Sequence, residues 1–397
     1  MIDGGGAAAF SAYNVNDSAV ATLTLPPVSP PRVALVGIPG GRAGAADTLQ
    51  RVEELIERSA WAEAVDAIGD VHVPASSAPE LALRVLFAES WARMYLGELD
   101  LADAVAERAR ALVEAPVFAD GHRADALFRL GCVRLKRGQV SNAVALLTEA
   151  LRLGSDARLR ARVYEWRSRC FQLQREWDAA RADAERALEL GEASGDRQTS
   201  AHALFQLSLI AERGSNQLLA RFYAEQAKEI YERVGDRQSL ARILNNLGGL
   251  AFLLGDAPGA VAYLGNARAL ALELGNEADA AQALSSLAQV HLRSGAPQLA
   301  EEQALEAIAL LDGREDYLDE LGSAHLVLGR ALLEQSRREE ALRAFAAAEW
   351  AYELVGSPGH VAEAWIAQGD HALAAGRPEL AAELFRRAAK SLQDVHF

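Results

Sequence analysis

The run Leu244-Asn245-Asn246-Leu247-Gly248-Gly249-Leu250-Ala251-Phe252-Leu253-Leu254-Gly255-Asp256, followed by Ala260, Leu264 and Ala267, decides the fold. Its apolar residues recur at helical spacing up to Leu254. Gly255 then supplies the residue that accepts a left-handed helix stop without a Cβ penalty. A second helix opens around Pro258, where the missing N–H is not needed. Ala260 and Ala267 are two helical turns apart and share one face, which lets another helix come close. A glycine inside a helix, such as Gly248, costs about 1 kcal/mol relative to alanine. Its presence needs a steric reason, and close helix packing supplies one.

Outward from this stretch the pattern repeats. A small residue opens the second helix of each pair at Ala64, Ala102, Ala143, Ala180, Ala220, Ala260, Ala300, Ala341 and Ala381, at intervals of 37 to 41 residues. Seven positions on, a second alanine recurs in eight of these nine, from Ala109 to Ala388. Gly97, Gly138, Gly255, Gly295 and Gly376 stand five residues before the first alanine. Another seven residues upstream the first helix carries Gly131, Gly248, Ala288, Gly329 or Gly369, with Ser90, Ser168 and Ser208 in other copies. The expectation is about nine helical hairpins over residues 47–397. Residues 1–46 hold Gly4-Gly5-Gly6, Pro26-Pro27, Pro30-Pro31 and Gly40-Gly41 with no sustained period, and read as disordered or loosely docked.

The pattern resembles the tetratricopeptide repeat family, in which small residues in both helices flank a bulky one in the second. That bulky residue is present as Leu147, Leu264, Phe345 or Phe385, whereas Ala106, Ala184, Ala224 and Ala304 depart from it. The family period is about 34 residues. The longer period here is similar to that of bacterial peptide-sensing regulators and of the sensor arms of large transcription activators. The resemblance implies an all-α, right-handed superhelical solenoid of helix-turn-helix repeats whose first (A) helices line a concave groove. It also implies a non-enzymatic scaffold, a regulator or adaptor that holds a protein or peptide segment there.

Reading each A helix at the offsets that the resemblance turns inward yields a candidate groove. Its candidate binding residues are Arg84, Trp91, Arg129, Arg162, Trp166, Arg169, His202, Phe205, Arg242, Asn245, Asn246, Gln282, Gln289 and Arg330. Phe87, Asp125, Phe128, Glu165, Gln206 and Ser285 fall at the same offsets. Arg162, Arg169 and Arg242 make a local positive patch in a chain of net charge −15, and the arginine fork suits carboxylates, so the partner is expected to carry an acidic feature. A competing reading pairs these arginines with Glu165, Asp125 and neighbouring carboxylates. Asn245 and Asn246 look like the asparagines with which related repeats hold a peptide backbone, an amide offering donor and acceptor together. Trp91 and Trp166 read first as core residues, and His202 as a groove or packing residue.

Composition bounds the alternatives. Half the chain is apolar and only 6% aromatic, which favours helices over sandwiches. The negative charge argues against direct nucleic-acid binding. Cys132 and Cys170 cannot build a disulfide framework and read as reduced, semi-buried thiols. The histidines show no metal spacing, no G-x-S-x-G elbow occurs, and no cofactor or metal is expected. Val33 to Arg42 enters a glycine-rich turn but lacks the Lys-Ser/Thr of a phosphate loop. No stretch reaches the roughly 20 apolar residues that span a bilayer, and a cytoplasmic location is expected. Two other readings stand beside the peptide binder. One is a sensor that encloses a small anionic metabolite and changes pitch; the other is a self-associating scaffold, suggested by Val395 and Phe397 after the last helix.

Overall fold

The computed structural model describes residues 42–393, apart from 59, 70–77, 155 and 314–316. Eighteen α-helices, and no strand, make up the described secondary structure. They follow in pairs: α1 Arg42–Glu57 with α2 Trp61–Gly69, α3 Pro79–Tyr95 with α4 Leu99–Leu112, α5 Asp120–Lys136 with α6 Val140–Arg152, and α7 Ala157–Leu173 with α8 Trp177–Ser194. The next are α9 Arg197–Arg213 with α10 Gln217–Val234, α11 Arg237–Leu253 with α12 Ala257–Glu273, and α13 Glu277–Arg293 with α14 Pro297–Leu310. Last come α15 Leu318–Glu334 with α16 Arg338–Val355, and α17 Pro358–Ala374 with α18 Pro378–Gln393. Helix α1 takes in residues 42–46, so the first hairpin begins five residues before the boundary that the sequence predicts. The tail before Arg42, with its glycine-rich turn, and the apolar end Val395 and Phe397 lie outside the described residues.

The chain forms two compact units that divide inside α9, between Gln206 and Leu207. From α1 to α8 and from α10 to α18 each helix packs on the next, and odd-numbered helices also touch the following odd-numbered one: α1–α3, α3–α5 and α5–α7 in the first unit, α11–α13, α13–α15 and α15–α17 in the second. No two even-numbered helices share a comparable contact. The hairpins are therefore drawn together on the A-helix side, which makes that side the inner face of each stack.

The repeat alanines explain how hairpins come so close. All nine that open the B helices, Ala64 through Ala381, have no exposed surface, and the set from Ala109 to Ala388 is equally enclosed. The A-helix glycines face the bulky B-helix residue of the same hairpin. A Cβ placed on Gly131 would stand 3.0 Å from Leu147, and one on Gly369 2.5 Å from Phe385. The departures Ala106, Ala184, Ala224 and Ala304 take the corresponding B-helix position where the A helix carries Ser90, Ser168, Ser208 and Ala288, so eight of the nine hairpins combine either a glycine with a large B-helix side chain or two small residues; in α1–α2 the two positions are Val52 and Ile68.

The turn between A and B helices needs one left-handed residue. Glycine supplies it in five hairpins, as at Gly255 (φ +85°), and Arg175, Ser215 and Ser336 adopt it at the corresponding positions with φ of +56° to +63°. A bidentate ion pair further locks α7 to α8: Arg167 Nε and Nη2 donate to the buried Asp183 carboxylate at 2.7 and 2.9 Å. Cys132 and Cys170 are fully buried rather than half-buried. Burial pushes both thiols up, Cys170 to about 12, which leaves neither a thiolate nucleophile at neutral pH.

Candidate ligand-binding faces of the A helices

In the first unit, successive A helices contribute one continuous aromatic layer. Trp91 of α3 lies 6.2 Å from Phe128 of α5 and 5.9 Å from Trp166 of α7, and Phe128 meets Trp166 edge-on at 6.4 Å. Tyr95 extends the layer to Trp61 of α2, stacked at 4.4 Å. Phe128 and Trp166 are buried, and Trp91 is half-buried. Guanidinium groups cover these rings. Arg129 sits 4.5 Å from the Phe87 centroid and 5.5 Å from that of Trp91. Arg162 lies over Phe128 and Trp91, and Arg169 over Trp166.

Most of the positive charge here is answered by carboxylates one turn back on the same helix. Arg129 pairs with Asp125 at 3.0 Å and also donates to the Phe87 carbonyl, while Arg169 pairs with the buried Glu165 at 2.6 Å. Arg84 is turned aside altogether, gripping Glu53 of α1 through Nε and Nη2. Phe205 is buried, and its neighbour Gln206 accepts from Gln172 at 2.7 Å.

In the second unit, α11 and α13 carry the polar positions. Arg242 Nε donates to Asp279 at 2.9 Å, and Asn276 holds the same carboxylate oxygen at 2.7 Å. Asn246 is fully buried and its amide is committed: Oδ1 accepts from Ser208 Oγ, and Nδ2 donates to Glu212 Oε2, both at 3.2 Å. Burial raises the Glu212 carboxyl to about 7, against the Asn246 hydrogen bond and Arg213, which pull it down. Asn245 differs from its neighbour. It is only 6% exposed, and its Oδ1 has no hydrogen-bond partner among the described residues. An acceptor buried without a donor costs about 1–3 kcal/mol, and a ligand N–H that reaches it would remove that cost. Ser285 is buried on α13, while Gln282, Gln289 and, on α15, Arg330 are half-buried.

Models of the tetratricopeptide repeat match residues 128–197, 239–312 and 326–394, more than half of the chain between them. The chain belongs to the tetratricopeptide repeat family. No curated protein matches its sequence. Among solved structures, a Rap protein complexed with competence and sporulation factor superposes with a TM-score of 0.63 at 16% identity, covering 89% of this chain and 98% of that one. The apo quorum sensor NprR from B. thuringiensis gives 0.63 at 11% identity, with 88% and 99% covered. Aspartyl phosphate phosphatase F from Bacillus subtilis gives 0.58 at 13%, with 90% and 96% covered. At these identities the likeness is one of fold.

On this tetratricopeptide repeat scaffold the proposed positive patch needs correcting. Arg169 and Arg242 are neutralised by Glu165 and Asp279, and of the three arginines read as a patch only Arg162 lacks an ion-pair partner among the described residues. The partners Asp279 and Glu212 stand 37 and 34 residues from Arg242 and Asn246, about one repeat away, and only the stacking of hairpins brings them together. Among the described residues no group of three or more His, Cys, Asp or Glu is placed to hold a metal, and no helix is long and apolar enough to cross a membrane.

Proposed function

We propose that this protein is a non-catalytic regulator or adaptor that holds a segment of a protein partner, one with an acidic feature, against its A-helix faces. The observation that carries the reading is Asn245. Its side-chain oxygen is enclosed and unanswered, beside an asparagine whose amide is already spent on Ser208 and Glu212. An extended backbone offers an N–H for such an oxygen and a C=O for the amide on the same side chain. The fold shared with Rap and NprR supports the reading, since that Rap protein is complexed with competence and sporulation factor.

The full chain, immobilised, is compared with Asn245→Ala and with Arg233→Ala, a change on the exposed side of α10. Retained proteins are quantified by mass spectrometry. A partner held by the wild type and by Arg233→Ala but lost from Asn245→Ala supports the reading. Identical retention by all three overturns it.

A further inference from the structure

We infer that Arg162, seated on the aromatic layer of the first unit, is a binding site for a single carboxylate. Three A-helix arginines of the first unit share one pattern. Arg93 pairs with Glu89, Arg129 with Asp125 and Arg169 with Glu165, each with the carboxylate one helical turn before it. Arg162 does not share it, nor does it pair across helices as Arg84, Arg167 and Arg242 do. Four residues before it stands Arg158, directed to Asp196 at 3.6 Å, and four residues after it stands Trp166. The nearby Glu165 is taken by Arg169. Arg162 consequently has no hydrogen bond or ion pair among the described residues, only the rings of Phe128 and Trp91 at 5.3 and 5.9 Å.

The rings hold the guanidinium beside them while its N–H donors stay without an acceptor among the described residues; five donors in a planar fork match the two oxygens of a carboxylate. The rings beneath exclude water, which strengthens charge pairing over what a solvated arginine offers. A second cation sharpens the case. Arg129 shares the Trp91 ring with Arg162, and two guanidiniums on one ring repel unless each has a counter-ion. Arg129 has Asp125. One further negative charge completes the set, which selects a monoanionic carboxylate over a dianionic phosphate, because Asp125 and Glu165 would oppose the second charge.

A carboxylate can arrive on an acidic side chain of the partner segment or as a free small acid, and the first source rests on the function proposed above. Both are tested on the full chain by tryptophan fluorescence and calorimetry, using acetate, inorganic phosphate, and an immobilised set of Asp- and Glu-containing peptides with their Asn and Gln counterparts. The variants are Arg162→Gln and Arg162→Lys, with Arg158→Gln as the control. A peptide source gives preference for acidic over amide peptides in the wild type and in Arg158→Gln, and Arg162→Gln lowers that preference about tenfold or more. A free-acid source gives saturable acetate binding that is lost in Arg162→Gln and weakened in Arg162→Lys, with no peptide preference; the site stands and the peptide reading falls. Binding of either probe that Arg162→Gln leaves unchanged, phosphate bound more tightly than acetate, or no saturable binding of any probe overturns the inference.

Discussion

Gly248 and Leu264 meet across the α11–α12 hairpin so closely that a Cβ added to the glycine would stand 2.5 Å from Leu264 Cγ. That is inside any real contact, and Cγ cannot swing away as a chain end could. The same opposition joins Gly131 to Leu147, Gly329 to Phe345 and Gly369 to Phe385. In these four hairpins bulk on the B helix is therefore conditional on its absence from the A helix.

Gly248→Ala should destabilise the second unit by about 1–3 kcal/mol through overpacking, in spite of the roughly 1 kcal/mol that alanine gains in helix propensity. Combined with Leu264→Ala, which alone costs about 2–5 kcal/mol as a cavity, the loss should fall short of the sum by about 1 kcal/mol. Urea denaturation of the two single variants and the double variant measures the coupling. Strict additivity would show that the contact is not felt.

The left-handed turn residues give a gain instead. Arg175, Ser215 and Ser336 adopt a conformation that costs a side chain about 1–2 kcal/mol, part of which glycine gives back as unfolded-chain entropy. Replacing each by glycine should raise stability by a few tenths to about 1 kcal/mol per site. Calorimetric melting of the triple variant checks this, and a lower midpoint than wild type contradicts it.

Glu212 makes stability depend on pH with a definite sign. Its folded carboxyl titrates at about 7, and the unfolded one near 4.3. Between these values the native state binds the extra proton, so this group lowers stability as pH rises from about 4.3 to 7 and leaves it lower above. Glu320, raised to about 7 by burial with Asp319 and Asp279 nearby, acts in the same direction. Glu212→Gln keeps an oxygen for the Asn246 amide and removes the charge. Its urea midpoint should exceed that of wild type at pH 8, with the difference shrinking toward pH 5; a variant no more stable at pH 8 would refute the assignment.

Arg167 and Asp183 supply the opposite case, an enclosed pair that must be kept or removed whole. Arg167→Met strands a buried carboxylate and should cost about 3–5 kcal/mol. Arg167→Met with Asp183→Leu should recover most of that loss. Thermal unfolding of the two variants separates the outcomes, and a double variant as unstable as the single one would mean the pair itself, not the stranded charge, carries the stability.

Much of the architecture was legible because its signals are local. Helical spacing, the nine alanines and the A-helix glycines each report on contacts within one hairpin, between residues about sixteen positions apart, and a repeating chain states them again and again. Arg175, Ser215 and Ser336 were not recognised as turn residues, since the backbone requirement is set by position in the hairpin while the amino-acid type gave no sign of it. The candidate face was legible only as a set of positions. Arg162, Arg169 and Arg242 look alike in the chain, yet Glu165 and Asp279 neutralise two of them and leave the third.

By itself the sequence determined that helices form, where they stop and which faces carry small side chains, because each of these depends on neighbours within a few turns. Only the tertiary structure decided which polar groups are spent and which are left over. Asn246 is satisfied by Ser208 and Glu212 from the preceding hairpin, while the oxygen of Asn245, one residue away, is buried without a donor. That difference arises from the register between stacked hairpins. A shift of one residue turns a helical side chain by about 100° and exchanges its surroundings, which no local pattern records.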